Sequence, residues 1–430
     1  MREYATRLAG SVAAVLDRAG VITPGRLSAT VDLAWPRVVT GFAIMSKQTV
    51  DLALVGWAVG AKAVAGLAFA YAFWYLSKFI GIGLVGGTVS LVSQNYGGDE
   101  PGRVALVVKH SIWLAVALTI PVIACYVLFA SSLVGLLSSD PASTRAGAAY
   151  LALVAPALLF EFLNLVSSRT YAGVGDTVTP MIIRAGSAAV NVVVSGLLVF
   201  SAGLGVTGVA IGTLVSTALA LVVFSWGMAG RSYGLPGMAP SRVALSVRGP
   251  HFDRGLAGQL LRVSSPIMAR RLLEGVVLFP LLWIASTFGP VVVAAFEIGR
   301  RVRAVITSVS WGFSIASSTL VGQALGTGDE GEAAAYGAAI IRLSLIVYLC
   351  VAGVVLAAPG PIARLFVADP AEIAHATVFV RVAAVSAIAF GINGSATGAL
   401  RGAGDTRWPF VASVLGRYAF ALPAAAVGLV

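Results

Sequence analysis

A few ionisable and amide side chains interrupt stretches of this chain that are otherwise apolar, and they mark where chemistry can be done. Asp51 follows Lys47 by four residues in the first such stretch; Glu161 and Asn164 interrupt another, Asn191 and Ser195 a third, and Thr213 a fourth. In the second half the candidates are Glu274, Glu297 and Asn393. A charged group at the centre of a bilayer costs at least roughly 2.5–3.5 kcal/mol, so such groups face a cavity or a partner. Together these residues offer carboxylate, amide and hydroxyl oxygens. A hard cation such as sodium takes that ligand set, whereas a proton needs only a carboxylate with a raised pKa.

Plainer roles compete with chemistry at several of these positions. Asp51 and Lys47 lie one turn apart and can form an ion pair along one helix face. Glu297 lies one turn before Arg300 and Arg301, and Arg270 and Arg271 lie within a turn of Glu274. Asn164, Asn191, Ser195 and Thr213 can each join helix to helix, at roughly 0.6 kcal/mol apiece. Glu161 has no basic neighbour at helical spacing, which favours a functional role.

The elements that must position these groups are membrane helices. The 430 residues are 58% hydrophobic and 11% charged, with a mean hydropathy of +0.92, against roughly 25% charged residues in soluble domains. Apolar runs of about 20 residues recur, each long enough to span a bilayer as a helix. The net charge of +11 is no nucleic-acid footprint, because only four of the 29 basic residues are lysines and they form no block. Cys125 and Cys350 both fall inside apolar runs, leaving no disulfide framework and no metal-ligand spacing. Residues 1–28 are amphipathic with four arginines and lack a cleavable apolar core.

Eleven spans are expected, near 35–58, 63–93, 105–130, 148–171, 180–202 and 206–229, then 263–288, 290–322, 334–358, 373–399 and 408–430. The predicted organisation is an amphipathic segment 1–30, an N-lobe 31–230 of six helices, a linker 231–262 and a C-lobe 263–430 of five. The chain is internally duplicated. Tyr171-Ala-Gly-Val-Gly-Asp-Thr-Val-Thr-Pro180 returns as Leu400-Arg-Gly-Ala-Gly-Asp-Thr-Arg-Trp-Pro409, 229 positions on. Leu91-Val-Ser-Gln94 likewise returns as Leu320-Val-Gly-Gln323. Six spans per unit make the repeat parallel, with a central cleft between two lobes. The counterpart of the sixth span would begin near position 435, beyond Val430, so a twelfth helix is missing from this reading. Twelve arginines in one set of loops, against Lys62, Arg145 and Arg364 in the other, place the N-terminus in the cytoplasm.

These features resemble the MATE (multidrug and toxic compound extrusion) family. The likeness rests on the loops Gln94 to Asp99 and Gln323 to Asp329, the two Gly-Asp-Thr loops with Pro180 and Pro409, Pro36 and Pro266 at the start of each half, and the run Thr49-Val-Asp-Leu-Ala-Leu-Val-Gly56. It covers about residues 35–430, and the bias to arginine and the loop sequences are similar to haloarchaeal members. The resemblance implies a plasma-membrane antiporter in which inbound sodium or protons drive organic, often cationic, compounds outward by alternating access. In the family an acid of the first helix is central to coupling, and Asp51 matches it. The family's cation site also uses an Asn and an Asp four apart in the fifth helix and a Thr about 18 residues further. Asn191 and Thr213 match these, which makes Asp51, Asn191 and Thr213 the implied sodium ligands, while Ser195 replaces the Asp and removes a charge. Glu161 is expected to supply a compensating carboxylate. Glu274 matches an acid of the NorM-like branch, whose tenth-helix acid is absent from Ala389-Phe-Gly-Ile-Asn393.

The expected partners are therefore the lipid bilayer and a small organic compound, with no nucleic acid and no cofactor beyond the coupling ion, and the chain is expected to be monomeric. A flippase for lipid-linked oligosaccharide or polysaccharide is the alternative, carried by Arg270, Arg271, Arg300, Arg301 and Arg303. An enzyme would cluster histidines, acids or metal ligands, whereas His110, His251 and His375 are scattered. A channel would not need two six-helix lobes.

Overall fold

The computed structural model describes residues 11, 13–59, 61–137, 140–245, 252–277, 280–281, 284, 290–364 and 370–427. Among them there is no strand, and the chain runs through helices α1 (Pro24–Ala58), α2 (Ala61–Gly97), α3 (Pro101–Gly135), α4 (Pro141–Val154), α5 (Ala157–Gly173), α6 (Val178–Gly196) and α7 (Gly205–Met228). After the linker come α8 (Arg254–Val276), α9 (Pro290–Gly326), α10 (Glu330–Ala357), α11 (Pro359–Arg364), α12 (Pro370–Gly402), α13 (Arg407–Val414) and α14 (Leu422–Val427). Seven of the described helical segments are long and apolar enough to cross a membrane, or eight if α4 and α5 count as one bent span.

Hydropathy finds the apolar middle of a helix, not its ends. α1 starts at Pro24 rather than near 35, because its first turns carry Arg26 and Asp32. The span expected at 148–171 is two helices bent by 52°, broken at Ala155-Pro156, where the proline ring excludes a helical N–H. The linker also ends sooner than 262: Asp253 accepts the backbone N–H of Leu256 at 2.9 Å and starts α8 at Arg254.

By contact the chain divides into two units, one of residues 39–96 and 100–272, the other of residues 1–38, 97–99 and 273–430. The helices that carry Pro36 and Pro266 are each shared between the units, and each division falls a few residues after the proline. A mid-helix proline removes one backbone hydrogen bond and bends the helix there.

The first unit is built around a core that includes Leu67, Leu84, Leu151, Leu158, Phe162, Tyr171 and Phe224. Gly66 of α2 and Gly147 of α4 face each other so closely that a Cβ on Gly66 would strike the Ser143 carbonyl, and one on Gly147 the Gly66 carbonyl. That approach puts Tyr71 against Tyr150 edge to face, with ring centroids 5.5 Å apart. The linker is tied down: Leu245 N–H donates to the Met228 carbonyl at 2.7 Å and Arg242 to the Val174 carbonyl at 3.3 Å. The second unit has its own core, including Phe313, Leu320, Ile340 and Tyr348. There Arg26 forks onto Glu332 with bonds of 3.1 and 2.6 Å.

The duplicated Gly-Asp-Thr sequence is a helix-to-helix turn. Gly175 and Gly404 sit at φ 90° and 83°, in the left-handed region where a Cβ is strained. The following Asp176 and Asp405 N–H groups each bond back 2.8 Å to the carbonyls of Tyr171 and Leu400. The Asp176 carboxylate then caps α6, accepting Val178 and Thr179 N–H at 3.0 Å each and the Thr179 hydroxyl at 2.6 Å. Asp405 takes only the longer N–H bonds of Arg407 and Trp408, at 3.1 and 3.4 Å. Asp176→Ala is therefore expected to cost about 1 kcal/mol or more, and Asp405→Ala less. Thermal unfolding of both variants in detergent checks this, and equal melting temperatures would show that capping is not the role of these aspartates.

Candidate functional site

Helical spacing aligns the polar residues of the first unit before any tertiary contact forms. Lys47 and Asp51 lie one turn apart on α1, and Tyr71 and Lys78 two turns apart on α2. On α6, Arg184, Ser187, Asn191 and Ser195 follow steps of three and four and share one face. With Tyr150 from α4, Glu161 from α5 and Thr213 and Thr217 from α7, these faces meet around a cavity of about 40 Å³ lined by Lys47, Asp51, Tyr71, Lys78, Tyr150, Glu161, Arg184 and Thr213 among others. A water needs roughly 10–15 Å³ by the same kind of measure, so the space holds about three. Drug-sized ligands occupy pockets of roughly 300–1,000 Å³. In this conformation the cavity admits an ion, water or a small polar group.

Asp51 is 1% exposed and its carboxylate is met by donors. The Tyr71 hydroxyl donates to Oδ2 at 3.4 Å, and the Ser195 hydroxyl also hydrogen-bonds it. The Asn191 amide, oriented by its hydrogen-bond network, donates Nδ2 to Asp51 Oδ1 at 3.0 Å, while its Oδ1 accepts the Thr213 hydroxyl at 3.2 Å. Tyr150 stands beside Tyr71 and Thr213 on the cavity wall. Asp51 is thus joined by hydrogen bonds to Tyr71 and Asn191, and Asn191 to Thr213, all of them buried side chains. Lys47 lines the same cavity but makes no ion pair with Asp51 among the described residues, so the competing reading of a plain intrahelical pair does not hold here.

Glu161 lies across the cavity, 3% exposed. Arg184 grips both of its oxygens at 2.7 Å, and Lys78 Nζ lies 2.8 Å from Oε1. Its basic partners come from α2 and α6, which spacing along α5 could not reveal. The carboxylate expected to compensate for the missing acid at Ser195 is instead neutralised twice over. Asn164 is one turn away, donating Nδ2 to the Thr217 carbonyl at 2.9 Å, with its buried Oδ1 lacking a hydrogen-bond partner among the described residues.

The MatE family model matches residues 36–197 and again 266–427, the two halves of the duplication. The chain belongs to the MatE family. It is 29% identical over 419 residues to a Rhodopseudomonas palustris protein named "Probable multidrug resistance protein NorM", a match covering 94% of this chain and 87% of that protein. Among solved structures, a MATE transporter in a bent conformation superposes with a TM-score of 0.86 at 18% identity, covering 94% of this chain and 88% of that one. A MATE transporter of Vibrio cholerae gives 0.84 at 18% identity, covering 94% and 90%. The chain is accordingly a multi-pass membrane protein of a multidrug efflux transporter family, and a transporter rather than an enzyme.

In this MatE chain the sequence candidates separate. Asp51, Asn191, Ser195 and Thr213 come together around the Asp51 carboxylate, and Glu161 and Asn164 lie beside them. In the second half, Glu274 is held by Arg417, with Nη2 3.2 Å from Oε1, and Arg417 sits in a π-helical stretch, Leu415–Ala421. Asn393 is exposed on α12 rather than part of a buried site. The side chain of Glu297 lies outside the described residues. Tyr71, Lys78, Tyr150 and Arg184 were not singled out from sequence. Arg184 carried a signal, standing two turns before Asn191 on the same face. The tyrosines carried none, since an aromatic residue in an apolar span reads as packing.

Removing Glu161 strands two buried cations, and breaking a buried pair by deleting one partner costs about 3–5 kcal/mol. Glu161→Gln is therefore expected to lower thermal stability in detergent sharply, while Lys47→Gln, which breaks no ion pair, does not lower it. Equal stability of the two variants would contradict the structural weight given to Glu161.

Proposed function

We propose that this chain is a proton-coupled antiporter of the plasma membrane, acting as a monomer with its N-terminus in the cytoplasm and exporting small organic compounds by alternating access. The single observation that carries the choice of ion is the set of groups around Asp51. Sodium needs oxygens with free lone pairs converging on one point. Asn191 turns its amide N–H₂ to the carboxylate and spends its oxygen on the Thr213 hydroxyl, and the Tyr71 and Ser195 hydroxyls engage the same carboxylate. Lys47 adds a positive charge on the same wall. A sodium ion would have to reverse this arrangement, whereas a proton only has to bind the carboxylate and let the donors relax.

Occupancy of Asp51 then selects between conformations. A ligand shifts an equilibrium only by its differential affinity for the two states. The neutral acid loses its strongest reason to hold the Asn191 and Tyr71 donors, so protonation loosens α1 from α2 and α6. That α1 carries Pro36 within it and is shared between the two units supports it as the element that responds.

The expected outcome is that Asp51→Asn, which keeps the shape of the side chain and removes its charge, abolishes gradient-driven efflux from reconstituted vesicles while the protein stays folded. An imposed proton gradient should drive the parent chain and a sodium gradient at constant pH should not. Efflux in Asp51→Asn equal to the parent, or efflux driven by sodium alone, would defeat the proposal.

A further inference from the structure

The cavity wall holds unequal numbers of opposite charges. Lys47, Lys78 and Arg184 face it together with Asp51 and Glu161, so three cations stand against two carboxylates. Glu161 is already paired with two cations, Arg184 on both of its oxygens and Lys78 on Oε1. Asp51 is engaged by Asn191, Tyr71 and Ser195. Lys47 makes no ion pair among the described residues, although an ammonium carries three donors. One positive charge is left over in a small, partly open cavity within a membrane protein, where an unpaired charge is costly. A cationic ligand entering it would add to that excess.

We infer that the cavity seats an anionic group of the transported compound, a carboxylate or a phosphate, against Lys47 with Lys78 and Arg184 beside it. This rests on the reading of the cavity as part of the transport path, and it differs from the cationic substrates that the family resemblance implies. The volume agrees: about 40 Å³ admits a carboxylate or phosphate group but not the body of a drug-sized molecule, so the remainder of the compound lies outside it. Arginine and lysine together suit such a group, the first as a planar fork and the second as a point charge. A soluble organic acid and a lipid phosphate share this chemistry.

The test is direct binding to the purified full chain in detergent, with naphthoate as the anionic probe and N-methylquinolinium as a cationic probe of matched size. Naphthoate should bind the parent chain, and Lys47→Gln should weaken it about tenfold or more, the size of a lost charge-assisted hydrogen bond. Lys47→Glu should abolish naphthoate binding and create binding of N-methylquinolinium. Binding of the cation but not the anion by the parent, or naphthoate binding indifferent to both Lys47 variants, overturns the inference. Displacement of bound naphthoate by short-chain phosphatidic acid but not by benzoate assigns the site to lipid phosphate, and the reverse assigns it to soluble organic acids. Displacement by neither overturns it. Binding needs no gradient, so the two proposals fail separately: anion binding without proton-driven flux overturns only the antiport, and proton-driven flux of a cation without anion binding overturns only this inference.

Discussion

Everything in the first unit answers to one constraint, the cost of holding five ionisable groups inside a bundle of apolar helices. Each would cost several kcal/mol if left alone in hydrocarbon. The largest part of that cost is met by Glu161, which binds Arg184 and Lys78 at 2.7–2.8 Å and so joins α5 to α6 and α2 at one depth. Once those three helices are fixed, Tyr71 on α2 and Asn191 on α6 stand where they can hold Asp51 of α1. The ion-paired side of the cavity is therefore the fixed support. The hydrogen-bonded side, with one carboxylate and neutral donors, is the part that a single proton can change.

The duplication preserved what folds the chain and not what it acts with. The Gly-Asp turns repeat in their backbone, with both glycines at positive φ and both aspartate N–H groups bonding back at 2.8 Å. The polar residues of the cavity have no such echo: 229 positions on, Asp51 meets Pro280, Glu161 meets Phe390, Arg184 meets Ser413 and Asn191 meets Phe420. The second unit has instead the pair Glu274–Arg417, held in part by a π-helical stretch. Such stretches often mark functional positions, but nothing in it copies the first site.

The membrane class, the repeat and its turns, and the acid and amide of the Asp51 cluster were legible because each depends on local chemistry: apolar runs, a glycine that reaches positive φ, an aspartate placed to cap, an acid and an amide in the membrane. Contacts between helices were not. Glu161 reads as unpaired because its partners lie 83 and 23 residues away on α2 and α6, and no periodicity links those positions. Four-residue spacing left an ion pair of Lys47 with Asp51 open as a plainer alternative, and only the neutral donors from other helices on the carboxylate decide against it. The break at Pro156 was hidden inside an uninterrupted apolar run, since hydropathy is blind to a missing N–H. Asn393 looked like Asn191, an amide in an apolar span, and only packing separates an exposed amide from a buried one.

If Asp51 carries the coupling proton, its protonation is visible without any transport. Infrared difference spectra of the purified chain across a pH titration should show a carboxylic-acid carbonyl band that grows as pH falls, is absent in Asp51→Asn, and does not change when sodium is added at fixed pH. A sodium-induced shift of the carboxylate bands at constant pH, lost in the same variant, would contradict the assignment and make Asp51 a sodium ligand.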